Sequence, residues 1–305
     1  MKHAVVIPTY NAAAFIVRAL DSVRRQTLVA DQIIVIDDGS SDDTAEIVKE
    51  WSADWDVSVV LESMINSGAG AARNRALEMT KADWISFLDA DDEWAPDKLA
   101  QLHLAVADDA SVEFVHTDRV YIMPAGETVH STFQADRMVQ RDYLCSGFTM
   151  KTSTVSIARS FLDRTGLLFG TERTSEDYSL FWRAVIRANK VRYIDRALTV
   201  VHERQGSLTR SDNESALILD NIGVLAVIID NEPTKTGSAA NAVRALRVLR
   251  YRLSQQVYLV DRLSLRRLVS NSWRLRQSLG FGEFVKVLAS VAVALPGRLT
   301  KAVRA

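Results

Sequence analysis

The feature that most limits how this chain can fold is an alternation of short apolar runs with helical patterns, in which each apolar run stops at polar, turn-forming residues. Val5 to Pro8 ends in Thr9-Tyr10-Asn11 and is followed by the helical spacing AAFIVRALDSVRRQT. Gln32 to Ile36 runs directly into DDGSSDD, after which Thr44 to Trp51 again has helical spacing. Val57 to Leu61 precedes a helix over Ala69 to Thr80, and Trp84 to Leu88 ends in DADDEW. Strands and helices in alternation predict an α/β fold with a mostly parallel central sheet flanked by helices. In open sheets of this kind the binding crevice lies beyond the C-terminal ends of the strands. TYN, DDGSSDD and DADDEW are therefore expected to converge although they are far apart in sequence.

After Pro96 the pattern is mixed. A helix is expected over Asp97 to Asp108, strands over Val112 to Thr117 and Val120 to Met123, and another strand over Ser153 to Ala158. Thr128 to Thr152 is irregular and reads as a loop or cover. Glu176 to Ala188 has helical spacing, followed by strands at Val191 to Ile194 and Leu198 to His202. Helices then recur over Glu214 to Asn231, Ala239 to Tyr258 and Leu263 to Leu295, with EPTKTGSAA as the linker between the first two. The expected organisation is an α/β domain over residues 1–215 and a basic helical accessory region over residues 216–305.

Charge supports that division. The formal net charge is -1, but from Arg244 to Ala305 there are 13 Lys and Arg against 2 Asp and Glu, which leaves 24 against 36 in the first 243 residues. An acidic body does not suit nucleic-acid binding, whereas the basic end suits anionic lipid, an acidic partner or the body itself. VKVLASVAVAL, close to several arginines, is too short to span a bilayer but could lie at a membrane interface. Packing of these helices on the body, or in a homodimer contact, explains the apolar residues equally well. The single cysteine, Cys145, excludes an internal disulfide framework and a cysteine-based zinc cluster. The N-terminal apolar run is interrupted by Pro8 and does not resemble a signal peptide. These features lead us to expect a cytoplasmic protein, peripheral at the inner face of the plasma membrane where the basic end engages it.

Asp89, Asp91, Asp92 and Glu93 crowd the end of an apolar strand, and their repulsion requires compensation. Asp89 and Asp91 can both face a divalent ion if the chain turns after Leu88. Oxygen ligands suit Mg2+ or Mn2+, especially when phosphate completes the coordination. A solvated acidic turn explains the same residues. Asp37 and Asp38 also follow a strand and could accept hydrogen bonds from a base or ribose, although DDGS equally serves to start a helix. Thr9 and Tyr10 offer a hydroxyl and an aromatic face for a nucleoside, against ordinary packing of Tyr10. Glu176 and Asp177 stand at a helix start, where acids are favoured for local reasons as well. No P-loop is present, which argues against a standard ATPase.

VVIPTYN, IDDGSSDD, NSGAGAARN and FLDADDEW, in this order and spacing, resemble the nucleotide-sugar-binding half of the family-2 glycosyltransferases with a GT-A fold. The resemblance covers about the first 100 residues strongly and continues through the SED segment and HERQGSLT. It implies an inverting, metal-dependent transferase that moves a sugar from a nucleoside-diphosphate donor, UDP-linked as first choice, to a hydroxyl on a sugar or lipid-linked saccharide in polysaccharide or glycolipid synthesis. Carried over residue by residue, it places Thr9, Tyr10, Asn11, Asp37 and Asp38 at the nucleoside. Asn66, Gly68, Arg73, Asp89, Ala90 and Arg204 are expected along the remainder of the donor. Asp91 is the preferred metal contact, with Asp89 reaching ribose or the metal through water and His202 at the metal-diphosphate end. Asp177 is the implied catalytic base and Glu176 orients the acceptor. The competing readings are a non-catalytic nucleotide-sugar-binding or scaffold protein and a nucleotidyltransferase.

Overall fold

The computed structural model of this chain describes residues 1–131, 150–170 and 176–203. The described residues belong to one unit, Met1–Gln140 together with Thr149–Ser207. The helices expected beyond Glu214, the boundary near residue 215 and most of the irregular segment from Thr128 to Thr152 lie outside the described residues.

Strands β1 (His3–Thr9), β2 (Gln32–Asp37), β3 (Ser58–Ser63) and β4 (Trp84–Phe87) alternate with helices α1 (Ile16–Arg24), α2 (Thr44–Ser52) and α3 (Ala69–Met79). The four strands pair in parallel in the order β3-β2-β1-β4. Every residue of β1 is buried because it has a strand on either side and helices over the sheet. Edge strand β3 is only partly buried, and there Glu62 pairs with Arg75 of α3 on the exposed rim. Helix α1 turns Ile16, Ala19, Leu20 and Val23 into the core. Each fully buried Val, Leu or Ile of this kind contributes about 1.5–3 kcal/mol to the fold.

The second half adds β5 (Glu93–Trp94), α4 (Lys98–Ala107), β6 (Val112–Ile122), β7 (Thr128–Ser131), β8 (Val155–Ala158), α5 (Arg159–Thr165), α6 (Glu176–Arg187) and β9 (Lys190–His202). The sheet continues from β4 through β8, β6 and β9 to β5. β8 is antiparallel to both β4 and β6, β5 is antiparallel to β9, and β6 is parallel to β9. The parallel arrangement expected from the sequence thus holds for β3-β2-β1-β4, and the antiparallel insertions beyond it make the whole sheet mixed. Among the described residues no helix is long and apolar enough to cross a membrane.

Register brings the strand ends to one level. Thr9 pairs with Asp37, and Asp37 pairs with Ser63. β4 leaves the ladder slightly earlier, with Leu88 N–H still donating to Val6 O at 3.0 Å, so the acidic turn begins beside the end of β1.

Candidate active site

Two loops meet where the sequence leads us to expect the nucleoside. Asn11 sits at φ 47°, a left-handed conformation that asparagine tolerates because its short amide bonds locally. Its N–H donates to Ser40 Oγ at 2.9 Å, and its side-chain oxygen accepts from Ser41 N–H at 2.8 Å, which ties the TYN turn to DDGSS. Thr9 is buried, and its hydroxyl has no hydrogen-bond partner among the described residues. Tyr10 is 54% exposed at the same edge.

Asp37 and Asp38 are both buried at the end of β2, and both close loops. Asp37 accepts hydrogen bonds from the Ser40 hydroxyl and backbone N–H. Asp38 accepts the Ser67 N–H at 2.7 Å and the Gly68 N–H at 2.8 Å, so its carboxylate fixes the loop that contains Asn66. A carboxylate has about four acceptor sites, so these bonds leave capacity for a ligand. Gly68 has φ 93°, which only glycine adopts without strain, and it directs the chain into α3. Gly70 has a different function. A Cβ there would collide with Gly170 O and lie 3.0 Å from Glu176 Cβ, so the bare backbone permits α3 to meet α6.

Arg73, from the first turns of α3, joins the two halves. Its Nη2 donates to Asp89 Oδ1 at 2.7 Å and its Nη1 to Glu176 Oε1 at 2.8 Å, with the guanidinium 4% exposed and 5.2 Å from the Phe169 ring centroid. Burial alone would lower its proton affinity, but Asp89, Glu176 and Asp177 outweigh burial and raise it. Asn74, the next residue, clamps the chain opposite. Its amide donates to Phe169 O at 3.1 Å and accepts Phe169 N–H at 2.9 Å.

The acidic turn is not uniformly solvated. Asp92 N–H donates to Asp89 O at 3.0 Å, and Arg18 donates to Asp91 O at 2.7 Å. Asp92 is buried, and burial, then the charges of Asp89 and Asp91, push its carboxyl well above the ordinary range. Ser153 Oγ donates to Asp92 at 2.5 Å and accepts Asp89 N–H at 3.0 Å. Asp89 keeps 30% side-chain exposure and Ala90 is buried at the bend. Among the described residues no group of three or more His, Cys, Asp and Glu side chains could by itself hold a metal ion. Two oxygen donors with the other positions left to phosphate and water nevertheless suit Mg2+ or Mn2+, which bind through one or two carboxylates plus substrate phosphate.

At the start of α6, Asp177 accepts the Thr152 hydroxyl at 2.8 Å. Burial raises its carboxyl above the usual range and Asp89 adds to this, while Arg73, the Thr152 hydroxyl and the Tyr178 N–H act in the opposite sense. Glu176 is likewise raised, by burial first, with Arg73 opposing and Asp177 reinforcing. A carboxylate with raised proton affinity is the kind of group that serves as a general base near neutral pH.

His202 lies on β9 with Nε2 2.7 Å from Glu93 Oε1, so it meets the acidic turn through Glu93. Arg204 lies outside the described residues. The structure therefore draws Arg73, Asp89, Glu176 and Asp177 into one connected network, with Asp37, Asp38, Asn11 and Gly68 building the adjacent loops. Sequence alone assigns no site role to Thr152, Ser153, Asn74 or Asp92. Asp92 stands in the acidic run and Asn74 closes NSGAGAARN, whereas Thr152 and Ser153 acquire their roles through contacts across long sequence separations.

Comparison with known proteins places this geometry in a family. The family model for Glycosyl transferase family 2 matches residues 4–180. The chain belongs to that family. An uncharacterized glycosyltransferase of Rickettsia felis is 30% identical over 225 residues, which is 72% of this chain and 36% of that protein. The Escherichia coli UDP-Glc:alpha-D-GlcNAc-diphosphoundecaprenol beta-1,3-glucosyltransferase WfaP is 25% identical over 231 residues, covering 73% of this chain and 87% of the relative. This chain thus spans little more than a third of the Rickettsia protein and most of WfaP. Residues 1–349 of S. aureus TarS, in complex with UDP-GlcNAc, align with a TM-score of 0.68 at 18% identity over 98% of this chain and 82% of that one. That likeness establishes the GT-A-like fold.

Proposed function

We propose that this protein transfers a sugar from a nucleoside-diphosphate donor to an acceptor hydroxyl with inversion, and that Asp177 is the base. The observation that carries this reading is the Arg73 bridge, which binds Asp89 of the acidic turn and Glu176 of the α6 start through one guanidinium. A merely solvated acidic turn would need no such buried counter-charge, nor would a simple helix start. In the proposed reaction the acceptor oxygen attacks the anomeric carbon as its proton passes to Asp177. The bond from that carbon to the diphosphate oxygen breaks, and the nucleoside diphosphate leaves with the electron pair.

Thr9, Tyr10 and Asn11 form the nucleoside end, where the exposed Tyr10 ring is open to a ligand; the Thr9 hydroxyl is buried and has no hydrogen-bond partner among the described residues. Asp37 and Asp38 support that end through its loops, with remaining acceptor capacity toward base or ribose. Asn66, Gly68 and Ala90 complete the donor side; a role for Arg204 there rests on the sequence resemblance alone. Asp91, with Asp89, would hold Mg2+ or Mn2+, and His202 would support that end through Glu93. Bound there, the cation supplies positive charge to the departing diphosphate. Glu176 orients the acceptor while Arg73 holds it in place.

A UDP-linked donor and a lipid-linked saccharide acceptor are the first choices, in keeping with WfaP, a UDP-Glc:alpha-D-GlcNAc-diphosphoundecaprenol glucosyltransferase, and with the basic end of the chain. That basic end would bring the enzyme to an anionic membrane face. Calorimetry with UDP provides the first test. UDP should bind more tightly with Mn2+ than without it, and Asp91→Ala should remove that difference. A metal dependence unchanged in Asp91→Ala would take Asp91 out of the proposed role. Incubation with UDP-sugars should give slow donor hydrolysis, and faster transfer once an acceptor is supplied.

A further inference from the structure

The Thr152–Thr154 segment forms a short 3-10 turn at the entry to β8, and its three side chains are all buried. It is fastened from several sides. Ser153 O accepts Trp94 Nε1–H and the Thr199 hydroxyl, each at 2.9 Å, while Ser153 Oγ holds both Asp92 and the Asp89 N–H. The neighbouring hydroxyl, on Thr152, reaches the other half of the site and donates to Asp177 Oδ2 at 2.8 Å. Two consecutive side chains thus tie the acidic turn and the α6 start to one rigid support. A β-branched residue suits that task, since its χ1 is stiff and a turn this firmly held leaves its hydroxyl little freedom.

We propose that Thr152 is the positioning residue for Asp177: by occupying Oδ2 it fixes the carboxylate's rotation and leaves Oδ1 to take the acceptor's proton. This rests on the glycosyl-transfer reading and on Asp177 as base. A proton acceptor must stand within hydrogen-bond reach of the proton it takes, and a carboxylate free to rotate spends less time so placed. Donation from Thr152 also favours the ionised carboxylate, in the same sense as Arg73 and the Tyr178 N–H and against burial and Asp89. Loss of the hydroxyl therefore shifts the group toward protonation and lets it turn.

The test compares the full-length protein with Thr152→Val, which keeps the shape and removes the donor, and Thr152→Ser, which keeps the donor. UDP-sugar turnover is followed from pH 5 to 9, with donor hydrolysis as the readout where no acceptor is supplied. Thr152→Val should lower kcat by roughly tenfold to a hundredfold, the cost of a misplaced catalytic group. Its acid limb in kcat/KM should move to higher pH by on the order of one unit, the scale of a hydrogen bond to a charged group. Affinity for UDP should stay within about twofold, because the donor side is untouched. Thr152→Ser should restore the limb. A Thr152→Val protein with its limb unmoved, or with its loss expressed in UDP affinity, overturns the proposal; so does a serine variant that fails to restore the limb. If the valine variant melts early, Thr152→Ala takes its place under the same criteria. Asp177→Asn is run beside them. Full turnover in that variant overturns the base assignment together with this proposal, whereas an unmoved Thr152→Val limb with an inactive Asp177→Asn overturns the positioning role alone.

Discussion

Replacing Arg73 with methionine should destabilise the fold heavily. The guanidinium is 4% exposed and bonds to Glu176, whose side chain is 12% exposed, and to Asp89, at 30%. Methionine fills much of the same space but leaves two carboxylates without their shared counter-charge, near Asp177. Removing one partner of a buried ion pair costs about 3–5 kcal/mol. Solvent screens part of the Asp89 share, so the lower end, about 3 kcal/mol, is expected. For a domain of roughly 200 residues that corresponds to a fall in Tm of about 6–12 °C. Urea unfolding of the wild type, Arg73→Met, Glu176→Gln and the double variant would measure it, and the double variant should recover part of the loss because one stranded charge has been removed. The sign with pH is also fixed. Without Arg73, Glu176 is raised further above its unfolded value, so the native state binds more protons than the unfolded one. Stability of the variant then falls as pH rises through that interval and recovers toward acid. An Arg73→Met protein within about 1 kcal/mol of wild type, well short of the cost of a broken buried pair, would refute the account of this bridge.

Further predictions concern other buried groups. Lys98 is buried with Nζ 3.3 Å from the hydroxyls of both Thr117 and Thr199, and burial lowers its pKa to about 7. The unfolded chain holds that proton up to about pH 10.5, so stability should rise with pH between about 7 and 10, and Lys98→Met should flatten the rise in urea midpoints. Gly70→Ala should cost about 1–3 kcal/mol by driving α3 from Gly170 and Glu176, seen as a lower Tm; an unchanged Tm would show that the contact yields easily.

The first four strands were readable because each centres on a short, mostly apolar run followed by polar, turn-forming residues. The run Gln32 to Ile36 became β2 at Gln32–Asp37, and Trp84 to Leu88 became β4 at Trp84–Phe87. Past Pro96 the helices at Lys98–Ala107 and Glu176–Arg187 and the strand at Val155–Ala158 were also readable, but two long strands each read as two. Val112 to Thr117 and Val120 to Met123 are one strand, β6, because Asp118 and Arg119 are buried polar residues with partners, Tyr193 on β9 for Asp118 and Tyr121 further along β6 itself for Arg119. Val191 to Ile194 and Leu198 to His202 are likewise one strand, β9, interrupted in hydropathy by exposed Asp195 and Arg196. The place of β8 between β4 and β6 had no local signature, since pairing between distant segments is not written in either one. At the site, residue types and order exposed Asp89, Glu176 and Asp177. They could not reveal that Arg73 would join them, or that Asp38 would spend two acceptor positions on the Ser67 and Gly68 N–H groups.

The central claim is most directly tested by donor binding and sugar transfer measured side by side in Asp177→Asn. Asparagine preserves the shape, and its oxygen can still accept from Thr152, but it is not a useful proton acceptor. The account predicts UDP affinity close to wild type in the presence of Mn2+ and transfer from a UDP-sugar reduced by roughly a hundredfold or more, the scale of general-base catalysis. A folded Asp177→Asn protein that transfers sugar at a rate near that of the wild type would contradict it.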